Sequence, residues 1–163
     1  MKSVFTRRGF VTATLAGMLG VSGLALRPAL AHEATCPVCK LDVVQDTEKL
    51  DNEVALKFGR KRIEYRCVYC AFSDAKNYKG DLTILAPSEI KGKPVLLTRT
   101  GGQWKVAPET AVFVGQKVNH RSCQVGYRAL TTKAAFDSWV HTNHELLNGA
   151  KPLTLKEMVE LSK

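Results

Sequence analysis

Two rhythms of hydrophobic and polar positions run along the chain. Glu53-Val54-Ala55-Leu56-Lys57-Phe58 alternates with period two, which places Val54, Leu56 and Phe58 on one face of a strand. Gly59-Arg60-Lys61 turns the chain, and Arg62-Ile63-Glu64-Tyr65-Arg66 returns with Ile63 and Tyr65 alternating, so this stretch predicts a hairpin. The period then lengthens: Val68, Phe72 and Ala75 fall close to one stripe and predict a helix from Cys67 to Tyr78, stopped by Gly80. Short apolar runs resume at Leu82 to Leu85, Pro94 to Arg99, Gln103 to Val106 and Ala111 to Val114, with Gly101-Gly102 as a hairpin turn. Leu41 to Val44 reads as one more short strand. After a loop from Gly115 to Gly126, Thr132 caps a helix from Lys133 to about His144, with Ala135, Phe136 and Trp139 inward and Asn148-Gly149 ending it. Thr154 caps a last helix, Leu155 to Leu161. The order strand-strand-helix occurs at least twice, so the expected fold class is α+β, two strand-strand-helix units with mainly antiparallel sheet.

The first 31 residues read differently. Thr6-Arg7-Arg8-Gly9-Phe10-Val11 is a twin-arginine motif, an apolar run follows from Val11 to Leu26, and Ala29-Leu30-Ala31 fits small-x-small cleavage. The run is 16 residues long, holds Gly17, Gly20 and Gly23, and falls short of the roughly 20 needed to span a bilayer. The expectation is a twin-arginine signal peptide over 1–31, handled by the Tat translocase during export to the periplasm. A single metal-binding domain over 32–163, with no stable membrane anchor, would follow. Loss of Lys2, Arg7, Arg8 and Arg27 lowers the formal charge from +9 to +5, so the basic balance gives no ground for a nucleic-acid partner. Lys57, Arg60, Lys61, Arg62 and Arg66 form a local basic cluster, a solvated face or a docking patch for an acidic partner.

The candidate chemistry is sulfur. Cys36-Pro37-Val38-Cys39 and Cys67-Val68-Tyr69-Cys70 are two Cys-x-x-Cys knuckles separated by 27 residues. A two-residue gap lets both thiolates of a knuckle point at one centre, and two knuckles supply four ligands. Thiolates suit zinc, Cu(I) or iron–sulfur clusters. The second knuckle lies where a strand ends and a helix begins, and backbone N–H groups there favour a thiolate. Three fates stay open for these residues in an oxidising compartment: metal ligands, structural disulfides, or a thiol-exchange pair at Cys67 and Cys70. Cys123, beside His120 in a polar loop, is a further ligand candidate. His141 and His144 suit a helix C-terminus without any ligand role, and His32 would chelate copper only as a mature N-terminus. Beyond residue 31 the only methionine is Met158, which excludes a methionine-rich copper surface. There is no glycine-rich phosphate loop and no Gly-x-Ser-x-Gly elbow, so nothing points to phosphoryl transfer or hydrolysis.

With these residues in view, the chain resembles the NosL family, copper-binding accessory proteins of nitrous oxide reductase maturation. The likeness rests on Cys36-Pro37-Val38-Cys39, on the strand-then-helix block Arg62 to Tyr78, and on Glu109 to Val114 with the loop through Gly126 and the helix Lys133 to Val140. It departs at Lys40-Leu41, where the family has Gly-Met, and at Cys123, where the family commonly has a methionine. The resemblance implies a fold like part of organomercurial lyase. It also implies a periplasmic carrier of copper, as Cu(I), or of zinc, with no enzymatic activity, serving a metalloenzyme client or its maturation machinery. Cys36, Cys39, Cys67, Cys70, Cys123 and His120 are the expected metal residues. A zinc-stapled binding module and a thiol oxidoreductase are the alternatives.

Overall fold

The computed structural model describes residues 35–43, 53–116, 128–145 and 147–162, all within the compact unit His32–Lys163. The expected signal segment, His32, His120 and Cys123 lie outside the described residues. Strands β1 (Val54–Phe58) and β2 (Lys61–Tyr65) lead into helix α1 (Val68–Ala75). Strands β3 (Leu82–Ala86), β4 (Val95–Thr100) and β5 (Gln103–Ala107) follow. The remainder is β6 (Val112–Gly115), β7 (Ala129–Leu130), α2 (Lys133–Thr142), β8 (Lys151–Leu153) and α3 (Leu155–Leu161).

The first five strands form one antiparallel sheet in the order β2-β1-β3-β4-β5. Two tight hairpins set the register of its outer pairs, β1–β2 and β4–β5. Gly59, at φ 57°, opens the β1–β2 turn, and Gly101-Gly102, both at positive φ, makes the β4–β5 turn. With the β1–β3 and β3–β4 pairings, the registers align Ile63, Leu56, Ile84, Leu97 and Val106 as one row across all five strands. The middle three of that row are fully buried, each contributing about 1.5–3 kcal/mol by leaving water. The neighbouring row, Arg62, Lys57, Thr83, Thr98 and Lys105, is polar, so one face of the sheet is covered and the other is wet. Helix α1 covers the apolar face over β1 and β2 and reaches β5, where the Phe72 and Trp104 rings lie 4.6 Å apart.

Helix α1 ends at Ala75, three residues before the expected Tyr78. Its last carbonyls turn to a side chain from β4. The Arg99 guanidinium donates to Ala75 O at 2.9 Å, to Gly80 O at 2.9 and 3.2 Å, and to Tyr78 O. A cation with several donors at a helix C-terminus satisfies orphan carbonyls and suits the dipole there.

The second sheet is antiparallel, in the order β7-β6-β8. Helix α2 packs on β6 and β7, while α3 rests against α1, β5 and β6 and so touches both sheets. Thr132 and Thr154 are the N-caps the sequence predicts, and Glu157 completes a capping box with Thr154. Of the three α2 residues expected inward, Phe136 is buried, while Ala135 and Trp139 are half-buried. The Arg128 guanidinium lies 3.9 Å over the Trp139 ring. Gly115 lets β6 pass close to β8, for a Cβ there would stand 2.6 Å from Leu153. Side chains tie the parts together: the Glu89 carboxylate accepts from the Thr131 N–H at 3.0 Å and from the Thr131 hydroxyl. Among the described residues no helix is long and apolar enough to cross a membrane. The architecture is α+β with antiparallel sheets, as expected from the sequence.

Candidate metal centre

The first knuckle is shaped by its main chain. Thr35 and Asp42 form a bridge, the Cys36 N–H donates to Leu41 O at 2.9 Å, and the Lys40 N–H donates to Cys36 O at 2.9 Å. This closed turn requires Lys40 to take φ 62°, a left-handed conformation that favours glycine. Cys36 becomes fully buried and Cys39 half-buried. Arg66, at the end of β2, donates to Asp42 O at 3.1 Å and ties the knuckle to the strand that leads into the second motif.

The second motif straddles the start of α1. Cys67 is the N-cap, with extended φ −150° and ψ 165°, and its sulfur accepts the Cys70 N–H at 3.4 Å. Its thiol in turn donates to the Cys70 sulfur at 3.4 Å. Cys70 stands on the first turn, fully buried. The back of the helix is held by Asp74, which accepts from Tyr65 Oη at 2.5 Å, from Tyr78 Oη at 3.2 Å and from Asn77 Nδ2 at 2.7 Å. Burial and these contacts push the Tyr65 hydroxyl well above its usual range, so it remains a donor.

The sulfurs of Cys36, Cys39 and Cys70 lie within 4.8 Å of one another, a group able to hold one metal ion. Cys67 stands beside Cys70 but does not join that set. The four knuckle cysteines carry thiols rather than disulfides. The Cys36 thiol is lowered from 9.0 to about 5, chiefly by a hydrogen bond from Cys70. Burial opposes the shift, and the backbone N–H groups of Cys39, Arg66 and Val38 add to it. Cys36 is therefore a thiolate at neutral pH, the form that ligates metals and attacks electrophiles.

Other predicted residues take other places. His141 and His144 are exposed at the end of α2, with His144 Nδ1 3.2 Å from His141 O. In the basic cluster, Arg62 is paired with Glu53 at 2.5 Å and with Glu64 at 3.2 Å. Lys57, Arg60 and Lys61 are exposed. The residues that sequence reasoning missed are those that position the sulfurs, Lys40, Asp74 and Arg99, while Arg66, read there as part of the basic cluster, instead braces the first knuckle through Asp42 O. Only Asp74 carried a signal, one helical turn after Cys70 and four residues before Tyr78.

No protein-family model matches the chain, and comparison with curated proteins gives no match. Among solved structures the chain is similar to MerB2, determined in its mercury-bound form, with a TM-score of 0.56 and 13% identity. The match covers 74% of this chain and 58% of that one. At that identity the likeness is one of fold. It corrects the expectation of a protein without enzymatic activity, because the fold shared with MerB2, that of organomercurial lyase, is an enzyme fold.

Proposed function

We propose that this chain takes up a soft metal ion through Cys36, Cys39 and Cys70 and hands it on, as Cu(I), to a respiratory metalloenzyme assembled in the periplasm. Nitrous oxide reductase is the client that the resemblance to the NosL family suggests. One observation carries the reading: three sulfurs from two distant stretches of chain lie within 4.8 Å of one another. Three thiolates satisfy a soft monovalent ion, whereas zinc in a structural site takes four protein ligands and a closed shell. A three-sulfur site leaves a position free for an incoming ligand, which a carrier needs and a staple does not. The Cys36 thiolate needs no proton removed before it binds. Cys123 and His120 are proposed as the exchange site from which the ion departs, and the twin-arginine segment as the means of export.

The likeness to the mercury-bound MerB2 supports a second reading, in which mercuric or organomercurial compounds are the substrate of the same sulfurs. One experiment separates the two. The full chain, purified without added metal and then stripped, is titrated with Cu(I), Zn(II) and Hg(II) against competing chelators. The carrier reading expects one Cu(I) per chain, retained in the presence of excess zinc and passed to a client apoenzyme. Tight zinc with no uptake of Cu(I) would instead make the chain a stapled module. Release of hydrocarbon from an arylmercury salt would establish the second reading. Reduction of insulin disulfides by the metal-free protein would mark a thiol oxidoreductase.

A further inference from the structure

Cys67 has the spacing of a ligand and the geometry of something else. Its sulfur accepts the Cys70 N–H while its thiol donates to the Cys70 sulfur, both at 3.4 Å. Cys67 makes these two reciprocal contacts with Cys70 and is not in the mutual set of Cys36, Cys39 and Cys70. It also fills the N-cap of α1, a place that otherwise goes to Ser, Thr, Asp or Asn because the side chain must accept a helix N–H.

We propose that Cys67 is a positioning residue and not a ligand: it caps α1, fixes the side chain of Cys70, and donates a hydrogen bond to that sulfur from outside the coordination shell. The inference rests on the metal-binding reading above and restricts it to three sulfurs. Groups that hydrogen-bond to ligands orient them and tune their donor strength, and their loss weakens metal binding by about 10–100-fold. Among the described residues the site then offers three soft ligands, and a four-coordinate ion bound there takes its fourth ligand from outside the two knuckles.

Serine separates the two roles, since its hydroxyl keeps both contacts but is a poor soft-metal ligand. The test uses the stripped full chain titrated with Cd(II), reading the sulfur-to-metal charge-transfer band, whose intensity scales with the number of bound thiolates. Cys67→Ser is expected to keep the whole band, with affinity within about 3-fold of the unsubstituted chain. Cys67→Ala is expected to keep the band while affinity falls about 10-fold or more and the metal-free Tm drops by roughly 3–5 °C through loss of the cap. Cys70→Ser is expected to lose a third of the band. Should Cys67→Ser lose a quarter of a four-thiolate band, Cys67 is a ligand and the positioning role falls while metal binding stands. If the unsubstituted chain gives no band, the metal-binding reading falls and takes this inference with it. Cys67→Ser retains the cap, so the band decides even if Cys67→Ala does not fold.

Discussion

Cys36-Pro37-Val38-Cys39 and Cys67-Val68-Tyr69-Cys70 share one spacing and differ in everything the backbone does with it. The first motif is a closed turn, with Lys40 in a left-handed conformation immediately after its second cysteine. Both of its sulfurs enter the three-membered group. The second motif begins as a helix cap and continues as helix, with Ala71 buried in the position that corresponds to Lys40. Only Cys70 enters the group, and Cys67 turns back to its own helix. Spacing tells which sulfurs can meet, and the local φ and ψ decide which of them do.

The difference between the motifs can be broken at several strengths. The largest effect is expected at the shared ion. Cys36→Ser or Cys70→Ser should lower affinity for Cu(I) or Cd(II) by more than about 100-fold, while Cys67→Ser stays near unity, measured by chelator competition. Comparable losses at all three positions would erase the asymmetry.

The next effect is on pH. The Cys36 thiol is depressed from 9.0 to about 5 in the folded chain, so between those values the unfolded chain holds a proton that the native one lacks. Stability of the metal-free protein should therefore rise with pH across that window, by up to about 1.4 kcal/mol per unit from this group, and be lost as pH falls through about 5. Urea unfolding at a series of pH values checks it, and Cys36→Ala should flatten the slope. Because Cys70 supplies the main hydrogen bond to Cys36, Cys70→Ala should flatten it in part.

A smaller effect concerns the helix that carries the second motif. Arg99→Met keeps an apolar stem but removes the guanidinium donor from the carbonyls of Tyr78 and Gly80 and leaves Ala75 O with only the Tyr78 N–H. A loss of about 2 kcal/mol in chemical denaturation is expected. The smallest and sharpest test is a pair of opposite sign. Lys40→Gly should stabilise by about 1 kcal/mol, because it removes a left-handed non-glycine residue. Ala71→Gly, at the corresponding position, should destabilise by about 1 kcal/mol or more, because it weakens a buried helical turn.

The hairpins were legible because glycines punctuate them and because alternation over five residues suffices to orient a strand; Gly59 and Gly101-Gly102 fixed the registers that align Leu56 with Ile63 and Leu97 with Val106. The strands β7 and β8, of two and three residues, carry no readable period, and both went unseen. The end of α1 was misplaced because the group that closes it, Arg99, arrives 24 residues after Ala75. At the site, spacing brought the four knuckle cysteines to one corner. Their division into three and one was hidden, since Lys40 gives no sign of a left-handed turn and cysteine is an unusual helix cap. The missing motifs for hydrolysis and phosphoryl transfer spoke only of those chemistries, so they could not set aside an enzyme fold.

Arg66 reaches across to the carbonyl of Asp42, and the turn around Cys36 is closed by two main-chain bonds. None of these struts uses a sulfur atom. The turn is thus shaped by bonds that need no ion, unlike small domains that acquire their shape only when loaded. On the carrier reading proposed above, an ion would leave by one sulfur trading places with a competitor while the walls keep their form. On that reading the empty and filled proteins should be nearly superimposable, with the pace of hand-over set by chemistry at the rim instead of by unravelling.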